Sequence, residues 1–424
     1  MKKIVRSGLG TVFILLLWAG GVFLATLTGW LHTPIANQNT TQSFMEAIDR
    51  EIDRQFVGNF AMATLSNGVV DYEKFYSAGK PVDRHTVFQV ASLSKWISAF
   101  GIMKLVEEGK LDLDRPVSTY LTRWQLPPTP FNNEAVTVRR LLSHMAGLTD
   151  GLGYSGFDPG TPVQSLEQSL TKAADADKGI NGAVSVGLEP GSAFTYSGGG
   201  YTLLQLLVEE VSGQSFASYM KESVFEPLTM RQSTYVWDES SPDSLAEFYH
   251  SNGKKSTHYR FTALAATSLY TSLADLELFF QAHLPGKNNE PIGRNVVKPE
   301  TIKLMRTPHV RTMGFAIWGL GTVLFAPTAG NDFIIGHDGK STPPINTSTR
   351  LNPATGDGII ILETGNPVVA TKLASEWVFW KTGQVDTFLF PMLQNGLVST
   401  IAIGSLVIML ALFIVSRWRR LGMS

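Results

Sequence analysis

Cysteine is absent from all 424 residues, which excludes disulfides, thiolate nucleophiles and thiolate-held zinc and leaves the redox compartment open. An excess of either charge is missing too. With 35 Lys and Arg against 36 Asp and Glu, the formal net charge is -1, so no broad field invites a polyanion and no nucleic acid partner is expected. The eight histidines contain no His-Glu-x-x-His pair, so no metal is expected. No Gly-x-Ser-x-Gly elbow occurs, which disfavours an α/β-hydrolase. Gly339-Lys340-Ser341 ends like a phosphate-binding loop, but Ile334 stands where the first glycine is required. The chain shows no internal repeat.

Apolar residues are plentiful, at 44% of the chain, enough for a large core, and they concentrate in runs at both ends. Lys2, Lys3 and Arg6 precede an uncharged stretch from Leu9 to Leu31, long enough to span a bilayer. A cleaved export signal is the competing reading, although a cut after Ala36 would put Pro34 where a small residue is preferred. Phe388 to Val415 is again uncharged and is followed by Arg417, Arg419 and Arg420. Basic residues flank the outer end of each run, so both termini are expected inside and the central region outside the cell membrane. The expected organisation is an anchor or signal over residues 1–35, a folded domain over 40–383, a membrane helix over 388–416 and a basic tail over 417–424.

Between these runs, Phe44, Ile48, Ile52 and Phe56 are spaced as one face of a helix over 41–56. Phe60 to Leu65 and Val69 to Phe75 flank Ser66-Asn67-Gly68 and predict a hairpin. The apolar run after Ser92, closed by Gly109, predicts a buried helix; Tyr201 to Val211, stopped by Gly213, predicts another. Asp332 to Gly336 and Gly358 to Glu363 read as buried strands, and Asp150 to Pro162 and Pro285 to Pro291 as loops. Strands first, helices in the middle and strands again at the end imply an α+β fold, an antiparallel sheet flanked by helices with a helical subdomain.

Ser92-Leu93-Ser94-Lys95 puts a hydroxyl and an amine one helical turn apart. An amine desolvated beside Trp96 loses its proton near neutrality and can activate a serine. The same spacing recurs at Ser77/Lys80, Ser169/Lys172, Ser218/Lys221 and Ser251/Lys254, so spacing alone is weak; only Ser92 opens a strongly apolar helix. Ser94, adjacent to Lys95, points elsewhere on the helix. Trp124, Trp237, Trp318 and Trp377 are assigned to core or pocket wall.

Phe88-Gln89-Val90-Ala91-Ser92-Leu93-Ser94-Lys95 resembles the first motif of the serine β-lactamase-like superfamily, in the branch of class C β-lactamases, DD-peptidases and family VIII esterases. Companions follow in the family's order. Residues 109–117 and the run Leu141-Leu142-Ser143-His144-Met145-Ala146-Gly147-Leu148 resemble two structural signatures of that branch. Tyr196-Ser197-Gly198 resembles its Tyr-x-Asn motif, and His337-Asp338-Gly339 its His-x-Gly strand motif. The resemblance covers residues 42–380 and implies the β-lactamase/transpeptidase fold. It also implies Ser92 as nucleophile, Lys95 and Tyr196 as its bases, and an acyl-enzyme formed without a cofactor. A His beside glycines can hold a substrate anion and admit its backbone closely, the role expected of His337 and Gly339, and by the same analogy the N–H groups of Ser92 and Lys340 form an oxyanion hole. A phenol beside the Lys95 ammonium would be driven towards phenolate. Gly198 departs from the family by replacing the Asn that orients acylamides. Small-molecule or peptide substrates of the β-lactam or D-Ala type, small esters, and a penicillin-binding sensor or scaffold all stay open; oligomeric state is not legible.

Overall fold

Asn67 and Gly68 reverse the chain with positive φ angles of 52° and 72°, a geometry whose twist matches the strands it joins. They link β1 (Asn59–Ser66) to β2 (Val69–Ser77), the hairpin expected from the sequence. The computed structural model describes residues 2–420 and 422, except 37, 39, 152, 241–243, 387 and 388, and for 2–8, 389–395 and 419–420 only the backbone. The chain divides into two units, Asp49–Ala374 and a second made of Met1–Ile48 with Ser375–Ser424.

In the first unit, seven later strands complete a nine-stranded sheet: β3 (Val310–Thr312), β4 (Phe315–Trp318), β5 (Val323–Pro327), β6 (Phe333–Gly336), β7 (Asp338–Ser341), β8 (Ile345–Leu351) and β9 (Gly358–Thr364). Its order is β2-β1-β9-β8-β6-β5-β4-β3, with β7 also paired to β8, and the pairings are antiparallel. The apolar strands β1 and β9 sit mid-sheet, as their sequence predicts. Strand β8 escaped the sequence reading because Asn346, Thr347, Ser348, Thr349 and Arg350 give no apolar signal, yet all are fully buried.

Burying that polar run is affordable only because each group has a partner. Asn346 exchanges hydrogen bonds with Thr371, 2.9 Å to its hydroxyl and 3.0 Å from its amide. The Thr349 hydroxyl donates to the His337 carbonyl at 2.9 Å and accepts the His337 N–H at 3.1 Å. Arg350 Nη1 meets Asp338 Oδ1 at 2.5 Å and Ser348 Oγ at 3.0 Å, and its guanidinium lies 3.4 Å from the Phe325 ring centroid.

The helical subdomain is expected and present. Helix α3 (Ser94–Glu107) stands on α5 (Leu273–Ala282), which packs on β1 and β9; Trp96 meets Phe279 edge-on at 5.0 Å. Helix α4 (Gly198–Ser212) begins three residues before the expected Tyr201, because Ser197 caps it by accepting the Gly200 N–H at 2.8 Å. The amphipathic α2 (Thr41–Gln55) buries Phe44, Ile48 and Ile52, and α6 (Val369–Thr382) follows β9 in the chain.

In the second unit, α1 (Lys2–Leu27) and α7 (Leu389–Arg420) pack together, the Trp18 indole N–H donating to the Ile401 carbonyl at 3.2 Å. Leu9–Leu27 and Gly396–Trp418 are long and apolar enough to cross a membrane. Phe388, the expected start of the second run, and residues 421, 423 and 424 of the basic tail lie outside the described residues.

Removing one member of a buried ion pair strands the other charge. Arg350→Met should therefore lower the unfolding free energy by about 3–5 kcal/mol, and adding Asp338→Leu should restore much of it. Urea titration of the detergent-solubilised chain checks this; a single-variant loss below about 0.5 kcal/mol would contradict it.

Candidate active site

Ser92 is placed by a tight turn. Ala91–Leu93 form one 3-10 turn before α3, and Ala91 takes a φ of 47°, a left-handed backbone that side chains disfavour by about 1–2 kcal/mol. Two contacts hold this turn against the sheet. The Val90 carbonyl accepts from Thr347 Oγ1 at 2.9 Å, and Gly339 lies so close that a Cβ there would be 2.0 Å from that carbonyl oxygen. The glycine at 339 is thus what lets β7 approach the serine turn.

Lys95 is 2% exposed, and its Nζ lies 3.1 Å from Ser92 Oγ and 2.7 Å from the Ala266 carbonyl. Burial pushes its pKa down to about 7, against an opposing pull from Asp150. One N–H is committed to Ala266, and the neutral amine has a lone pair to offer the serine proton. In the four competing Ser/Lys pairs the lysine is exposed, so none can be desolvated in this way. Ser94 is fully buried, donating to the Ala91 carbonyl at 2.6 Å and accepting the Leu269 N–H at 2.9 Å, which makes it a brace.

Tyr196 stands just before the capped start of α4, its ring 5.0 Å from Lys95 Nζ. Asp150 fixes this corner, accepting from Ser197 Oγ at 2.6 Å and from the Gly199 N–H at 3.2 Å. The ring is 38% exposed on the cleft side, while the low-polarity setting of its hydroxyl raises its pKa and hydrogen bonding with Ser92 opposes the rise. Desolvation at the hydroxyl, not burial of the whole ring, works against the expected phenolate and favours a neutral phenol beside the amine.

His337 requires a correction. It is 3% exposed, does not line the cleft, and is held neutral by burial, its pKa pushed down to about 3. Its Nδ1–H donates to the Asp338 carbonyl at 2.6 Å, which leaves Nε2 as a bare acceptor. A neutral imidazole of that tautomer repels an anion, so the expected anion-holding role is not supported. Gly339 shapes the β7 approach, and of the three strand residues only Lys340 lines the cleft.

Sequence reasoning assigned Trp318 to core or pocket wall, but it did not foresee that His144 joins it behind Tyr196. His144 lies 4.4 Å from the Tyr196 ring and 4.9 Å from Trp318, between centroids, and Trp318 lies 5.5 Å from His337. His144 Nδ1 accepts the Ser197 N–H at 3.1 Å, so this neutral, buried histidine locks the Tyr196 segment. The cleft itself has a volume of about 750 Å³ and is walled by Ser92, Lys95, Tyr196, Gly198, Lys340 and the segment Gly153 to Gly156, among others. Among the described residues no three His, Asp or Glu gather to hold a metal ion.

A family model described as Beta-lactamase matches residues 38–376. A penicillin-binding protein of Bacillus subtilis (strain 168) is 32% identical over 169 residues, 40% of this chain and 35% of that protein. Esterase EstB of Burkholderia gladioli is 29% identical over 202 residues, 44% of this chain and 46% of the esterase, so the chain spans under half the length of these two relatives. Among solved structures, the octameric penicillin-binding protein homologue from Pyrococcus abyssi superimposes with a TM-score of 0.65 at 26% identity, covering 81% of this chain and 78% of that one.

The amine form of Lys95 exists only above its pKa. Labelling of Ser92 by a fluorophosphonate should therefore rise about tenfold per pH unit up to about 7 and level off beyond it. Lys95→Arg, which cannot shed its proton, should label at least about 100-fold more slowly. A profile flat from about pH 5 to 9 would remove Lys95 as the base.

Proposed function

The chain belongs to the Beta-lactamase family, and on that premise we propose that it is a membrane-anchored serine hydrolase working through an acyl-enzyme on Ser92. The observation that carries the proposal is the desolvated Lys95 amine, 3.1 Å from the Ser92 hydroxyl with a pKa of about 7. Ser92 Oγ attacks a carbonyl carbon, and its proton passes to Lys95. The N–H groups of Ser92 and Lys340 hold the oxyanion, a reading supported by the close Gly339–Val90 approach. As the carbon–nitrogen or carbon–oxygen bond breaks, the proton goes to the leaving group by way of Tyr196. Water then attacks the ester on Ser92 by the same route in reverse and frees the acid. Neither metal nor organic cofactor enters these steps.

Amides of the β-lactam or D-Ala peptide type are the favoured substrates. A carboxylesterase is the second reading, favoured by Gly198, which offers no side-chain amide to orient an acylamide, and by the similarity to an esterase. In the proposed organisation residues 40–383 form the hydrolase, and the two apolar helices anchor it outside the cell membrane, with the flanking basic residues inside.

Mass spectrometry of the solubilised chain tests the reading. A fluorophosphonate should add once, at Ser92, and not to Ser92→Ala; labelling that persists in Ser92→Ala refutes the nucleophile. Penicillin should acylate the same serine, and the adduct's lifetime separates a turnover enzyme from a sensor. Gly198→Asn should speed penicillin acylation about tenfold, the worth of about one hydrogen bond. A labelling pattern confined to fluorophosphonate, in both forms, would favour the esterase.

A further inference from the structure

Apart from Lys95, the cleft is lined by two charged side chains, Asp177 and Lys340. Among the described residues neither enters an ion pair. They are held differently. Lys340 projects from β7, where its strand partner is Asn346, and lines the cleft with Ser341 and Thr342. Asp177 is built into the wall formed by the Gly153 to Gly156 segment: Oδ1 accepts from Ser155 Oγ at 2.9 Å, and the Asp177 N–H donates to the Gly153 carbonyl at 3.1 Å. A Cβ on Gly153 would lie 2.0 Å from Asp177 Oδ2, so a larger residue there would push the exposed carboxylate aside.

Three tyrosines, Tyr154, Tyr196 and Tyr259, line the same cleft. The Tyr154 ring is fixed through its hydroxyl, 2.6 Å from Thr202 Oγ1. A cleft whose wall carries both a carboxylate and tyrosine rings suits an ammonium group, because ring quadrupole and carboxylate both attract a cation. A primary ammonium on a serine-lined strand suits a carboxylate. A cleft of about 750 Å³ is the size for a short peptide and generous for a small ester.

We infer that the cleft selects zwitterionic substrates, short unblocked peptides whose free amine is received by Asp177 and whose free carboxylate is received by Lys340. The inference rests on the proposed function, since it requires Ser92 to be the nucleophile of this cleft. Selection by two opposed charges also accounts for the loss of a fixed amide at Gly198. Recognition at the two ends of a short peptide leaves less for a central side chain to orient.

The test uses the detergent-solubilised full chain and alanine di- and tripeptides of the L and D series. Each is supplied unblocked, N-acetylated, C-amidated and doubly blocked, and kcat/KM is measured by mass spectrometry of the products. In at least one series, unblocked peptides should be cleaved about tenfold or more faster than either singly blocked form. Asp177→Asn should collapse the ratio of free-amine to acetylated substrate while retaining the ratio of free-acid to amidated substrate. Lys340→Gln should do the reverse, with melting temperatures showing both variants folded. Equal treatment of the four forms, or no peptide cleavage at all, while fluorophosphonate still labels Ser92, overturns the inference and leaves the hydrolase reading standing. Failure of fluorophosphonate to label Ser92 overturns both.

Discussion

An ammonium group in water holds its proton to a pH near 10, and a serine beside it would have no base. Burial of Lys95 changes that balance: the fall from 10.5 to about 7 corresponds to roughly 5 kcal/mol of discrimination against the charged form. The surrounding structure is what keeps the lysine dry. Trp96 and Phe100 wedge α3 against α5, the Tyr196 and Tyr201 rings flank the amine, and the Ala266 carbonyl gives it a single fixed acceptor. Loosening any of these walls would admit water and return the proton.

A second constraint ties the Ser92 turn to the sheet. The turn before α3 and strand β7 come from distant parts of the chain, and they meet where Gly339 rests on the Val90 carbonyl. Strand β7 could drift along its edge were it not pinned from beneath. The Arg350–Asp338 pair pins one side, and the paired bonds between Thr349 and His337 pin the residue before it. The polar character of β8 thus follows from its position beside β7 and the Ser92 turn, where hydrogen bonds fix register more sharply than apolar packing does.

What was legible in the sequence follows from what is local. Ser92 and Lys95 are one helical turn apart, the hairpin is written in Asn67-Gly68, and β1 and β9 each hold a run of apolar residues, so each carries its signal within a few residues. Strand β8 carries its own only as partners elsewhere, at Thr371, Val90 and Asp338. The Ala266 carbonyl is a backbone atom 171 residues from Lys95 and has no side-chain signature. His144 resembled a structural signature, and structural it is, but its grip on Ser197 is a contact across 53 residues. His337 was legible as a position and not as a charge state, because its protonation depends on a burial that no motif records.

The two electrostatic shifts, taken together, bear on which bond the site can break. An ester leaves as an alkoxide that needs little help, whereas an amide nitrogen leaves only once protonated. Although Tyr196 is partly open to the cleft, the protein crowded around its hydroxyl raises its pKa, so the phenol keeps its proton at neutral pH and is suited to pass it to a leaving nitrogen. Lys95, having taken the serine proton, can refill the phenol. A pair of groups with pKa values pushed apart in this way is equipped for the harder leaving group, so the choice between amide and ester lies with the walls of the cleft. There, Gly198 removes one means of orienting an amide, while Asp177 and Lys340 place one charge of each sign on the cleft wall.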